Sequence, residues 1–224
     1  MDAEFYADYG GDACTCHDSE HVPVLKEMKR FLPEETEAMA AVLKRDGCIS
    51  VPTDTVYGVC ARITEAGQEK LYEVKNRPRT KQFPVMCSDL CQAKTIAEVS
   101  DCAEKLMHAF MPGPLTVILK KKADAPAAIH GDTVAVRLAV SEPLRKLIEE
   151  TGMPIFLTSA NQSGQKECAS LDEIEEACPL LDGMMEGMVS FGMASTIADC
   201  TGDTVRILRN GPITEDMIQS VMEG

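Results

Sequence analysis

The chain has 224 residues, 45% apolar and 26% charged, and its 22 Lys and Arg stand against 36 Asp and Glu for a net charge of −14. Those fractions exclude a disordered or collagen-like chain. The acidic balance excludes a surface coated for general nucleic-acid binding, though not a local basic cleft.

Residues 1–22 read as an acidic, polar N-terminal tail, with neither the basic start nor the apolar run of a secretion signal. No stretch approaches the ~18 apolar residues of a membrane span. A cytoplasmic location is expected, with the ten cysteines as reduced thiols. Cys48, Cys60, Cys102, Cys168, Cys178 and Cys200 stand singly in apolar or helical contexts, as small hydrophobes do. Cys87 and Cys91 read as a strand-end residue and a helix residue. Cys14, Cys16, His17 and His21 offer four zinc ligands. A C-x-C step is tighter than the spacing of structural zinc sites, so the reading taken is a tail without metal.

From Val22 the pattern is continuously globular. Pro33 opens a helix with acidic residues near its start and Gly47 as its stop. A short buried strand over 48–52 runs into the loop Thr53-Asp54-Thr55-Val56-Tyr57-Gly58. Residues 65–76 form a helix, 83–88 a strand, and 89–98 and 101–111 two more helices. β-Branched content marks 115–120 as a strand, and alternation marks 133–138. A helix over 143–151 leads to a strand over 154–159 and a helix over 171–178. Residues 195–200 and 204–209 pair as a hairpin, and 213–222 form a last helix capped by Thr214. The expectation is one α/β domain over 23–224: a twisted mixed sheet of about seven strands flanked by helices.

In such sheets ligands sit beyond the carboxyl ends of strands. There the chain collects Thr53-Asp54-Thr55, Ser159-Ala160-Asn161, Ser195-Thr196 and Arg209, with Arg137 inside a strand. Lys75, Arg77, Arg79 and Lys81 crowd four cations into seven residues. Such a cluster suits a polyphosphate, and Arg suits bidentate phosphate contact. The competing reading is a solvated helix end, where cations favour the negative end of the dipole. Lys120-Lys121-Lys122 reads as a solvated strand end. No GxxxxGK[ST] loop, GxGxxG, G-x-S-x-G or HExxH occurs. The four histidines suggest no Ser-His or Cys-His pair. Catalysis here would rest on positioning and electrostatics.

The segments VPTDTVYGVCA (51–61), KNRPRTKQFPVMCSD (75–89), MPGPLTVILKK (111–121), DTVAVRLA (132–139), PIFLTSANQSG (154–164), STIAD (195–199) and ILRNGPIT (207–214) resemble, in order, the YrdC family of threonylcarbamoyl-AMP synthases. The resemblance covers roughly residues 35–224 and fits the single-domain form. It implies a basic concave cleft and an enzyme that condenses L-threonine, bicarbonate and ATP, with Mg2+, to threonylcarbamoyl-AMP and pyrophosphate. A separate transferase complex would then modify adenosine 37 of tRNA. By motif, Lys75 and Arg77 would be catalytic, and Lys75, Arg77 and Lys81 would hold the ATP phosphates. Thr133, Ser159, Asn161 and Arg209 would also serve ATP. Thr55, Arg137 and Ser195 would bind threonine. Alternatives are a YrdC-like module holding RNA weakly by its backbone, and a paralogue acting on another carbamoyl or acyl substrate. Four departures stand out, Ala194 for Glu, Asn210 for Pro, Met86 for His and Glu167 for a small hydroxyl residue, and Ala194, Asn210 and Glu167 suggest the second alternative.

Overall fold

The computed structural model describes residues 28–202 and 204–223. The expected tail and its Cys14/Cys16/His17/His21 group lie outside the described residues.

In chain order the elements are β1 (Arg30–Phe31), α1 (Thr36–Leu43), β2 (Ile49–Val51), β3 (Gly58–Arg62), α2 (Glu65–Lys75), β4 (Val85–Cys87), α3 (Leu90–Ile96), β5 (Ala97–Glu98), α4 (Asp101–Phe110), β6 (Leu115–Lys121), β7 (Thr133–Leu138), α5 (Glu142–Thr151), β8 (Ile155–Ser159), α6 (Leu171–Ala177), β9 (Gly183–Met185), β10 (Thr196–Asp199), β11 (Arg206–Arg209) and α7 (Glu215–Glu223). The local chemistry of the helix starts is visible. The side chains of Thr64, Asp89, Ser100, Ser141 and Ser170 each accept a backbone N–H of the following turn. The Thr214 hydroxyl accepts from Met217 N at 3.3 Å, as expected for the last helix.

Among the described residues, all the strands join one mixed sheet in the order β1-β9-β2-β3-β8-β4-β7-β6-β10-β11, with β5 beside β6. Its eleven strands exceed the expected seven. Three of the extra strands, β1, β5 and β9, are only two or three residues long and carry no detectable period. The fourth, β3, reads Gly-Val-Cys-Ala-Arg, and four of its five residues are buried, which erases the alternation. The expected hairpin is present: β10 and β11 pair antiparallel.

The faces of the sheet differ. One is packed by α2, α3, α4, α6 and α7 over a large core that takes Leu115, Val117 and Leu119 of β6 and Val134, Val136 and Leu138 of β7. The other carries a smaller core in which α1 and α5 pack over β2, β3, β4, β8 and β9. These two helices cover only part of that face. Thr116 and Ile118 of β6, Ala135 and Arg137 of β7 and Ile197 of β10 instead line an open cavity.

Among the described residues, five of the six cysteines expected as small hydrophobes are buried, whereas Cys102 on α4 is only half-buried. Cys48, Cys60, Cys87, Cys168, Cys178 and Cys200 are buried free thiols. Burial pushes the Cys60 and Cys200 thiols up to about 12, so they stay protonated. Among the described residues, no helix is long and apolar enough to cross a membrane.

Candidate functional site

The uncovered part of the sheet opens into a cavity of about 440 Å³, within the usual range for small-molecule sites. Its lining comes from the β2–β3 loop, the α2–β4 loop, β6, β7, the end of β8, the β8–α6 loop and the two ends of the β10–β11 hairpin. Of the residues singled out in the sequence, Thr55, Arg77, Thr133, Arg137, Ser159, Ser195 and Arg209 all line it. Lys75, Lys81 and Asn161 do not.

The β2–β3 loop is built around Thr53. Its hydroxyl donates to Val56 O at 2.6 Å and accepts from the Thr55 and Val56 nitrogens at 3.1 and 3.2 Å. That turn aims Thr55 and Asp54 at Arg137. The guanidinium donates to Thr55 Oγ1 (3.1 Å), Asp54 Oδ1 (2.7 Å) and Gly113 O (2.9 Å). Arg137 is only 8% exposed, and its Nε and Asp54 Oδ2 are buried without a hydrogen-bond partner. The sequence reading did not assign Asp54. Its place between two hydroxyl residues, after a strand, was the available signal.

The cation cluster divides. Asn76 ends α2 in the left-handed region (φ 46°), and Arg77 N closes back on Tyr72 O at 3.0 Å. The Arg77 guanidinium is held by Lys81 O (3.1 Å) and Gln82 O (2.8 Å) beside the Phe83 ring, and burial lowers its pKa. Arg79 turns outward and pairs with Glu69 of α2. The Lys81 side chain is exposed, outside the cavity lining. Lys75 is 1% exposed and lies beneath the site. Its ammonium donates to Ser159 O, to Asn161 O (2.6 Å) and to Asn161 Oδ1 (3.2 Å). Burial pulls its pKa down to about 8. Of the four cations crowded into seven residues, three are therefore already met by carbonyl oxygens or a carboxylate of the protein itself.

Asn161 is a scaffold for its loop. It accepts from Ser159 Oγ and Lys75 Nζ and donates to Gln162 O and Gln165 O. On the far side of the cavity, Arg209 clamps Ser195 O through Nε and Nη2 at 3.0 and 2.8 Å. The Ser195 hydroxyl also meets Thr116 Oγ1 at 2.7 Å. Burial and the Arg137 charge lower the Arg209 pKa, while Glu167 opposes the shift. Of the four departures, Ala194 and Glu167 line the cavity. Met86 is fully buried in the smaller core, and Asn210 is exposed next to Arg209.

The half-uncovered sheet of this α/β domain thus joins the cationic groups of Arg77 and Arg209 to hydroxyl-bearing walls, a chemistry suited to a small anion. The comparisons narrow this further. The Sua5/YciO/YrdC family profile, described as "Telomere recombination", matches residues 41–211, and the chain belongs to that family. A threonylcarbamoyl-AMP synthase of Bacillus subtilis is 35% identical over 211 residues, which is 90% of this chain and 60% of that protein. One of Klebsiella pneumoniae is 32% identical over 171 residues, or 71% of this chain and 90% of its own. The crystal structure of Pyrococcus abyssi Sua5 complexed with L-threonine superposes with a TM-score of 0.80 at 29% identity, covering 87% of this chain and 60% of that one. The chain thus spans about 60% of the length of the B. subtilis relative.

Proposed function

We propose that this chain is an L-threonylcarbamoyladenylate synthase. One observation carries the reading: a single cavity presents Arg77 and Arg209 together with the Thr55–Arg137–Ser195 wall. The named relatives support the same choice. Arg77 and Arg209 hold the ATP phosphates, and the exposed Lys81 adds a further cation to them. Thr133 and Ser159 contact the nucleoside. Arg137, Thr55 and Ser195 hold threonine. Lys75 and Asn161 act from beneath by fixing the Ser159 loop. Magnesium enters with ATP as part of that substrate.

The reaction has two steps. The threonine amine attacks bicarbonate carbon, and water leaves to give a carbamate. A carbamate oxygen then attacks the ATP α-phosphorus, the bond to the β-phosphate oxygen breaks, and pyrophosphate leaves. The protein supplies orientation and positive charge for the developing phosphate anions. The product would pass, in the cytoplasm, to a transferase complex acting on tRNA adenosine 37.

The test is incubation of purified protein with threonine, bicarbonate, magnesium and ATP, followed by assay of pyrophosphate and the adenylate. No product from a folded protein that binds ATP would sink the proposal. Product with another amino acid but none with threonine would favour a paralogue, a reading prompted by Ala194 and Glu167 in the cavity wall.

A further inference from the structure

Two carboxylates approach the cavity, and their situations differ. Asp54 is committed to Arg137 in a salt bridge of 2.7 Å. Glu167 lines the cavity together with Arg77, Thr133, Ser159 and Arg209, and it is the one Asp or Glu in that lining. Among the described residues it has no hydrogen bond or ion pair. Its charge is nevertheless felt by both Arg209 and Lys75.

Its position is built into the loop. Asn161 Nδ2 donates to Gln165 O at 2.6 Å, and Gln165 N donates to Gln162 O at 3.0 Å, closing the turn that precedes it. Cys168 N donates to Ala160 O at 3.2 Å and anchors the chain directly after it. Glu167 thus shares the cavity lining with Ser159 and with the two guanidiniums assigned to phosphate, and its charge acts on Arg209.

A bare carboxylate there opposes a polyphosphate. It becomes favourable once a divalent cation lies between the two anions. Magnesium is commonly held by one or two carboxylates together with substrate phosphates. With Arg137 neutralised by Asp54, the lining carries Arg77 and Arg209 against Glu167, which leaves little surplus positive charge for uncomplexed ATP.

We propose that Glu167 is a protein ligand for the magnesium ion of the bound nucleotide, and that it makes the cavity select metal-complexed over bare ATP. This rests on the ATP reading above and extends it to one residue that the sequence pattern marked as a departure.

The test measures equilibrium ATP binding by calorimetry, without threonine or bicarbonate, in magnesium and in EDTA. The proteins are the unaltered chain, Glu167→Gln and Glu167→Ser, each with a thermal melt to establish folding. Removing magnesium should weaken the unaltered protein about tenfold more than either variant, the size expected for one charge interaction in a half-buried cleft. In EDTA both variants should bind ATP more tightly than the unaltered protein. An equal magnesium-to-EDTA ratio in all three proteins overturns the metal role while leaving ATP binding intact. Absence of ATP binding in all three, under both conditions, overturns the ATP reading and this inference with it.

Discussion

The Asp54–Arg137 pair offers the sharpest test of how the site is built. Substituting Asp54→Asn keeps the shape and removes the charge. Arg137 then holds a buried cation with only neutral acceptors, Thr55 Oγ1, Gly113 O and the amide oxygen of the new Asn. Removing one partner of a buried pair typically costs about 3–5 kcal/mol. Here neutral acceptors remain and the Asp54 side chain is 17% exposed, so about 2–3 kcal/mol is expected. At roughly 2–4 °C per kcal/mol for a chain of this size, the midpoint should fall by about 4–12 °C. The assay is urea and thermal unfolding of Asp54→Asn, Arg137→Met and the double variant. The cycle should return a coupling of about 2 kcal/mol, because the double variant no longer buries a lone charge. A coupling near zero would refute the claim that Asp54 compensates Arg137.

Arg77→Ala should weaken ATP binding by about ten- to a hundredfold, the loss of a charge-assisted phosphate contact, whereas Arg79→Ala, which removes only a pair with Glu69, should stay within about twofold; calorimetry on both separates them. Lys75 sets a pH dependence. Its folded pKa of about 8 lies below the ordinary 10.5, so the cost of burying the ammonium is fully present below pH 8 and is relieved between about 8 and 10.5. Stability should therefore rise across that window, and Lys75→Met should flatten the rise in urea titrations. Gly211→Ala would place a Cβ against the Thr196 nitrogen and the Ser195 carbonyl carbon, both backbone atoms. It should destabilise the protein by about 2 kcal/mol or more and raise the threonine KM, measured by unfolding and by the pyrophosphate assay.

What could be read from the sequence followed the strength of the local signals. The β-branched run of β6, the alternation of β7 and the capped helices were legible, because composition, period and capping chemistry are local properties. β1, β5 and β9 were not, since two or three residues acquire strand geometry only from the neighbours they pair with. Within the site, the residue types pointed to one place, and Thr55, Arg77, Thr133, Arg137, Ser159, Ser195 and Arg209 do meet there. The direction of each side chain was hidden. Lys75 and Arg77 are two residues apart, yet the left-handed turn at Asn76 sends one under the Ser159 loop and the other to the rim. Arg79 could not be distinguished from Arg77 without knowing that Glu69 faces it. Asp54 became visible only when Arg137 was placed beside it.

The two faces of β6 and β7 impose a reading frame on the protein. Leu115, Val117 and Leu119 alternate with Thr116 and Ile118, and Val134 and Val136 with Ala135 and Arg137, so neighbouring residues belong to different environments. Substitutions at cavity positions can change what is bound while the core beneath stays intact. A single-residue deletion in β7 has no such latitude. It would carry Arg137 into the apolar layer and turn a valine toward the cavity, disrupting fold and site in one step. Variation in these strands is therefore confined to replacement in place, and length changes must fall in the connecting loops.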